Sequence, residues 1–147
     1  MALLTFLGAT QQVTGSCYLI ETRDGSKVLL ECGMRQGRQE DQARNRAPFA
    51  FDPASLNAVV ISHAHIDHTG LLPRLVASGY RGPIFATEAT CDLMELMLLD
   101  AANLQEKDAE WENKWRARLG KPFLEPLYCV ADAEQALKQR RPLAYGQ

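Results

Sequence analysis

The three histidines of this 147-residue chain all lie in one six-residue segment, His63 to His68, which reads H-A-H-I-D-H. With Asp67, they present the imidazole and carboxylate groups that zinc and similar divalent metals prefer. His63 and His65 are two residues apart, so in an extended backbone both side chains leave on the same face and can bind one ion together. Asp67 and His68 follow after a bend and can reach a second ion. The spacing therefore predicts a dinuclear metal site.

The metal motif directly follows an apolar run, Ala58–Ile61, which is typical of a strand buried on both faces. Such a strand would hold the ligands rigidly at one edge of a sheet. Pro73 is tolerated in a helix only near the first turn, so we expect a helix to begin at about Thr69, directly after His68. Its positive end would then face the metals and favour an anionic substrate.

The rest of the pattern predicts a mixed α/β fold. Short apolar runs between turns indicate strands, whereas 35–47 is polar and indicates a surface loop or a short helix. Thr87 is expected to cap a long helix, and Asp132 a final helix that runs to Arg140 and is stopped by Pro142. The predicted strands are 3–7, 17–21, 27–30, 58–61 and 84–86.

The predicted long helix carries two apolar sets with different interpretations. Leucines and a methionine at helical spacing indicate a core face. Trp111 and Trp115 lie one helical turn apart. They could form a stacking platform for bases, but packing against a neighbouring element is the interpretation we favour. The expected core residues are Leu93, Leu96, Met97 and Leu104.

Composition limits the partners and the compartment. The net charge of −2 shows no overall electrostatic attraction to nucleic acid. No apolar run approaches the ~18 residues of a membrane span, and the first residues do not resemble a signal peptide. The four cysteines are far apart and form no C-x-x-C pair, so we expect reduced thiols in a cytoplasmic protein without a membrane partner.

Paired metals ~3.5–4 Å apart can clamp the attacking and leaving oxygens of a displacement and lower the pKa of bound water. This predicts hydrolysis of a phosphodiester, amide or thioester, with Asp67 as the catalytic residue that orients the water or accepts its proton. A catalytic zinc usually has three protein ligands, and only His63 and His65 are available for the first ion. The site looks incomplete on ligand supply, although Asp52, Glu88 or Asp92 could assist.

Two residues at the end of the 27–30 strand have alternative interpretations. Glu31 could accept the second N–H of a metal-bound histidine and fix its tautomer, or it could be a plain surface glutamate. Cys32 could be a thiolate ligand, but packing as a small buried residue is the interpretation we favour.

The motif and its flanks resemble the metallo-β-lactamase fold and, within it, the β-CASP family of RNA-processing nucleases. The resemblance is carried by His-x-His-x-Asp-His after a buried strand and by three earlier segments, and it runs from about residue 3 to the C-terminus. These segments are Phe6-Leu7-Gly8-Ala9, Val13-Thr14-Gly15-Ser16-Cys17 and Leu29-Leu30-Glu31-Cys32-Gly33-Met34-Arg35-Gln36-Gly37.

The resemblance implies that His63 and His65 bind a first zinc and that Asp67 and His68 bind a second. Glu31 stands where the family usually has aspartate, so it is the expected second-shell residue, with altered geometry. The implied substrate is RNA, cleaved at its phosphodiesters.

Family members continue well beyond this length, with further ligands and an inserted β-CASP domain. We therefore expect residues 1–147 to form a partial metallo-β-lactamase domain, the amino-terminal part of an αββα sandwich with a mixed β-sheet flanked by helices. Alone it is expected to hold little or no zinc and to be inactive. Its uncovered apolar face would favour self-association.

Two alternatives stay open. The same motif serves hydrolases of thioesters and other esters, since fold does not settle function. The chain could also belong to a non-catalytic interaction module, which Glu31 and the missing ligands favour. The four intact donors favour an enzyme.

Overall fold

A computed structural model describes residues 1–37 and 39–146 as a six-stranded mixed sheet with five helices. The strands are β1 (Leu3–Phe6), β2 (Cys17–Glu21), β3 (Lys27–Cys32), β4 (Ala58–Val60), β5 (Ile84–Thr87) and β6 (Arg140–Leu143). The helices are α1 (Gln39–Arg46), α2 (Ile66–Thr69), α3 (Leu72–Ala77), α4 (Glu88–Arg118) and α5 (Val130–Lys138), with a 3₁₀ turn at Pro53–Ser55. The mixed α/β class and the five predicted strands are confirmed, and 35–47 does contain a short helix.

The strands follow one another across the sheet in chain order, from β1 to β6. β1, β2 and β3 are antiparallel, whereas β3 to β6 are parallel. The carboxyl ends of β1, β3, β4 and β5 therefore meet at one edge, and the H-A-H-I-D-H segment leaves the sheet there, directly after β4.

The helices cover one face of the sheet. Alternate strand residues such as Leu29, Val59 and Ile84 are fully buried and form one apolar core with the inner faces of α3, α4 and α5. In the connection from α3 to β5, Tyr80 donates its hydroxyl to the Pro83 carbonyl at 2.6 Å. The burial of the core explains why β4, with only three residues, is held rigidly enough to carry the motif.

The expected helix start at Thr69 is wrong. Asp67 and His68 lie inside the four-residue helix α2, and the chain kinks before α3 begins at Leu72. The Thr69 hydroxyl donates to the carbonyls of Ala64 and His65 and so closes α2 tightly. The α3 N-terminus therefore does not start beside His68, and the expected anion site at that helix end is not supported.

The predicted core face of the long helix is wrong, because the buried face of α4 is shifted by about one residue from the predicted one. Leu96 is 70% exposed, and Leu93 and Leu104 also face outward, while Met97 is partly exposed. The helix packs instead through a face that contains small residues, which allow close approach to α5 and the sheet. The buried positions of α4 are Thr90, Cys91, Met94, Leu98, Ala102 and Ala109.

The favoured packing role of the two tryptophans is also wrong for this chain. Trp111 and Trp115 are 63% and 52% exposed, and the guanidinium of Arg118 lies over the Trp115 ring at 5.8 Å. Base stacking by these rings stays a prediction.

The end of the chain differs from expectation in two ways. Cys129, not Asp132, is the N-cap of α5, and Asp132 completes a capping box by accepting the Cys129 backbone N–H at 2.9 Å. Pro142 lies within β6, a strand that the sequence did not predict. Among the described strands β6 pairs with β5 alone, and proline is tolerated in such an edge strand.

None of the helices in the described part of the chain has both the length and the apolar character that a membrane span requires. The cysteines in the described residues are free thiols, as expected.

Candidate metal centre

His63 and His65 are brought together by the extended segment that follows β4. Their closest ring nitrogens, Nε2 of His63 and Nδ1 of His65, are 3.1 Å apart. Two nitrogen ligands of one tetrahedral zinc, each at 2.0–2.1 Å from the metal, would be about 3.3 Å apart. The spacing of this pair therefore fits two ligands of a single ion.

Asp67 and His68 form a second pair beside the first. Oδ2 of Asp67 is 3.6 Å from Nε2 of His68, and the ring centroids of His63 and His68 are 4.0 Å apart. The helix α2 makes this possible because it turns both side chains back toward the sheet edge. The four donors thus lie in two adjacent pairs, as their spacing in the sequence predicts.

Within the described residues, no set of three or more histidine, cysteine, aspartate or glutamate side chains is arranged as a metal-binding group. Of the three carboxylates considered as additional ligands, Asp52 caps the 3₁₀ turn by accepting the Ala54 N–H at 3.0 Å. Glu88 and Asp92 lie in the first two turns of α4. Their assistance at the metal centre stays a prediction.

Glu31 is buried, with 4% of its surface exposed, so the interpretation as a plain surface glutamate is wrong. Its Oε1 accepts the backbone N–H of Ser62 at 3.0 Å, and its Oε2 lies 3.4 Å from Nδ1 of His68. Oε2 and Nδ1 are both buried and have no other partner in the described structure. The carboxylate thus links β3 to the segment that carries the metal donors, 63–68, which we call the metal segment. It faces the ring nitrogen of His68 that is remote from Asp67.

The backbone at Glu31 is strained. Its φ of 61° lies in the left-handed region, which costs a residue with a side chain of order 1–3 kcal/mol. Nothing in the sequence signals this conformation. It turns the Glu31 side chain toward the metal segment at the point where β3 ends.

Three backbone hydrogen bonds fix the metal segment against the ends of β2 and β3. Ser16 donates to the Asp67 carbonyl at 2.8 Å, Met34 to Ile66 at 3.0 Å, and Leu71 to Cys32 at 2.9 Å. Gly33 makes this approach possible, since a Cβ added there would lie 1.7 Å from the Asp67 carbonyl oxygen. Sequence reasoning missed the role of Gly33; its only signal was its place directly after the Glu31-Cys32 motif.

Cys32 is fully buried, and burial raises the pKa of its thiol well above the usual value. A neutral buried thiol is a poor metal ligand. This supports the packing interpretation that the sequence favoured.

Comparison with known proteins agrees with this geometry. Residues 11–84, half of the chain, match the model of the Metallo-beta-lactamase superfamily. The chain is 45% identical over 140 residues to a protein named Ribonuclease TTHA0252 from Thermus thermophilus, and covers 28% of it. It is 39% identical over 145 residues to Transcription termination factor FttA from Cenarchaeum symbiosum, and covers 20% of it. These alignments span 95% and 97% of this chain, which is therefore less than a third as long as either relative.

Solved structures give a more distant likeness. One is the metallo-beta-lactamase fold protein YhfI from Bacillus subtilis, with 21% identity and a TM-score of 0.44 over 60% of this chain and 38% of that one. The chain belongs to the metallo-β-lactamase superfamily.

Proposed function

We propose that this chain carries the metal-binding motif of a zinc-dependent hydrolase that cleaves RNA phosphodiesters. The observation that carries the proposal is the arrangement of four donors in two adjacent pairs, with 3.1 Å between His63 and His65 and 3.6 Å between Asp67 and His68. The name of the ribonuclease relative supports RNA as the substrate.

In this proposal His63 and His65 hold one zinc ion, and Asp67 and His68 hold a second. Glu31 accepts the Nδ1–H of His68, which leaves Nε2 free to face the metal. Asp67 also orients the attacking water or accepts its proton. When bound, the two ions supply an activated water and neutralise the charge that develops on the phosphate. We place the protein in the cytoplasm, which its free thiols support.

Two other functions make different predictions. A hydrolase of thioesters or other esters would use the same donors with a different substrate. A non-catalytic interaction module would hold metal weakly or not at all. The close fit of the His63–His65 spacing to one ion favours an enzyme over such a module.

The test is cleavage of a labelled RNA oligonucleotide by the protein expressed from the complete gene. We expect cleavage with zinc, loss of cleavage after chelation, and recovery when zinc is added back. The 147-residue chain, assayed in parallel, is expected to be inactive. Hydrolysis of thioesters without cleavage of RNA would replace the proposal by the first alternative. A protein that retains no metal and hydrolyses neither substrate would support the interaction module instead.

The sheet face opposite the helices is apolar and is not covered by the described residues. Strand pairing aligns a row of side chains across it, and Val60, next to the centre of the row, is 37% exposed. Phe6, at one end, is 61% exposed. Contiguous apolar surface of this kind favours association. The row consists of Phe6, Tyr18, Leu30, Val60 and Phe85.

We propose that two copies of the 147-residue chain associate through this face. Val60→Lys places a charge next to the centre of this row. We expect it to raise the dissociation constant of the dimer at least 10-fold, measured by sedimentation velocity. Leu93→Lys is the matched control, since Leu93 is 47% exposed on α4. A monomeric wild-type chain, or an equal effect of both substitutions, would contradict the proposal.

A further inference from the structure

Three arginines line a cavity of about 190 Å³ between the ends of β1 and β3, helix α1 and the start of α3. Arg35 follows β3, Arg44 lies on α1 and Arg74 on α3. Phe49 forms part of the wall, and the Arg74 guanidinium lies over its ring at 5.0 Å. We call this cavity the arginine pocket. Its arginines come from three separate segments, so the net charge of −2 gave no indication of it.

Arg35 and Arg74 are held in place by contacts that leave most of their donors unused. Arg35 donates Nη2 to the Leu7 carbonyl at 2.9 Å, and Arg74 donates Nη2 to the Arg46 carbonyl at 2.8 Å. A guanidinium has five N–H donors. The Nε of Arg35 is buried and has no partner in the described structure. The backbone of Arg35 is fixed as well, because Asn45 exchanges two hydrogen bonds with it, at 2.9 and 2.8 Å.

The positive charge of the pocket is not neutralised from within. Among the described lining residues there is no aspartate or glutamate, and none of the three arginines has a carboxylate of the described residues within ion-pair distance. Arg44 does lie one turn after Glu40 and Asp41 on α1. The Glu31 carboxylate, on the metal side, is engaged by Ser62 and His68.

The ionisable thiols that face these arginines stay neutral. Burial raises the pKa of Cys17 to about 12, against the opposing charge of Arg35. Burial also raises the pKa of Cys32 well above its usual value, despite the nearby charge of Arg74. The pocket therefore lacks an internal anion at neutral pH, and its charge complements an anion from outside.

The arginine pocket lies directly behind the metal segment. Gly33 lines it, and the same residue contacts the Asp67 carbonyl so closely that no Cβ would fit between them. The lining residues Leu7, Gly33 and Arg35 follow the ends of β1 and β3, so the pocket lies at the sheet edge from which the metal donors also leave. This common edge is the reason to expect that one nucleic acid strand contacts both sites.

We propose that the arginine pocket binds a phosphate group of the RNA strand that the metal centre acts on. Arginine is suited to this because its planar fork matches phosphate oxygens in pairs. The phosphate chemistry follows from the pocket alone, whereas RNA as its source rests on the proposed function.

The test measures binding without cleavage. The metal-stripped 147-residue chain is titrated into a fluorescent single-stranded RNA in the presence of chelator, at several salt concentrations. Arg44→Gln and Arg74→Gln are each expected to weaken binding 3- to 10-fold. Each should also reduce the salt slope by about 0.7, because one arginine–phosphate interaction is removed. Arg44 is exposed and donates no side-chain hydrogen bond to the described residues, so its substitution should leave the fold unchanged.

Arg23→Gln is the matched control, because Arg23 lies in the exposed turn between β2 and β3 at the opposite edge of the sheet. It is expected to leave RNA affinity unchanged. Inorganic phosphate forms the second arm, and it should displace the RNA from the wild-type chain. Phosphate binding that depends on Arg44 but does not compete with RNA would assign the pocket to free phosphate instead.

Equal weakening by Arg23→Gln, or no binding of either RNA or phosphate, would overturn the proposal. These readouts do not depend on metal or on cleavage. A failure of the RNA-cleavage assay with intact, arginine-dependent binding would therefore count against the proposed hydrolase and not against the pocket.

Discussion

Gly33→Ala is expected to destabilise the chain by at least about 3 kcal/mol in urea unfolding, at the upper end of the cost of overpacking. The added Cβ would lie 1.7 Å from the Asp67 carbonyl oxygen, 2.4 Å from the Asp67 carbonyl carbon and 2.8 Å from the Ser16 nitrogen. All three are backbone atoms, so no change of side-chain rotamer can relieve the contact. The metal segment would have to move away from β3, and the Ser16–Asp67 hydrogen bond would break.

Gly25→Ala is the matched control. Gly25 lies in the turn between β2 and β3 with a φ of 86°, and an added Cβ there meets nothing within 4 Å. Its cost is the backbone strain alone, roughly 1–2 kcal/mol. Similar losses for the two variants would contradict the close packing of the metal segment on β3. Any folded Gly33→Ala protein should also bind zinc more weakly than the Gly25→Ala protein.

The sequence predicted those features that depend on local pattern. The strands before the motif and the metal donors were recognised because apolar runs, turns and ligand spacing are properties of neighbouring residues. His63 and His65 are two apart in an extended segment, and this alone places their rings together. The pairing of Asp67 with His68 needed only the bend that follows.

Features that depend on which elements meet were not predicted. The α4 helix has apolar residues on two faces, and the buried one is the face whose Ala102 and Ala109 let it approach its neighbours. Leu93 and Leu96 are larger and gave the stronger helical periodicity, but both point outward. β6 was missed because Pro142 was interpreted as the end of a helix, although it occupies an edge strand.

At the metal centre, too, local features could be predicted and features that depend on the folded chain could not. The donors could be identified from their spacing, but the conformation that aims Glu31 at His68 could not. A φ of 61° at a glutamate has no local signature, and it persists because Cys32 is buried on one side and the Glu31 side chain accepts the Ser62 N–H. The arginine pocket is a stronger case, since Arg35, Arg44 and Arg74 are distributed over three elements and meet only in the folded chain.

A graded series of substitutions should separate the roles of His65 and Glu31 at the metal centre. His65→Ala removes a ring nitrogen from the closest donor pair, and we expect zinc affinity of the protein expressed from the complete gene to fall by more than about 100-fold. Glu31→Gln keeps the shape of the side chain and an oxygen that can accept from Ser62. It removes the charge that faces Nδ1 of His68, so we expect a fall of about 10–100-fold. Zinc competition with a chromophoric chelator measures both.

Two further variants, Glu31→Asp and Glu106→Gln, test whether Glu31 acts by positioning His68. Glu31→Asp retains the charge, so affinity should return to the wild-type level or above it, whereas a purely structural role would make the shorter side chain at least as harmful as glutamine. Glu106→Gln is the matched control, because Glu106 also accepts a backbone N–H, that of Val130 at 2.9 Å, but on α4. If Glu31→Gln and Glu106→Gln lower zinc affinity equally, Glu31 does not position His68. If Glu31→Gln alone lowers zinc affinity and Glu31→Asp restores it, the contact between Glu31 and His68 orients this histidine for metal binding.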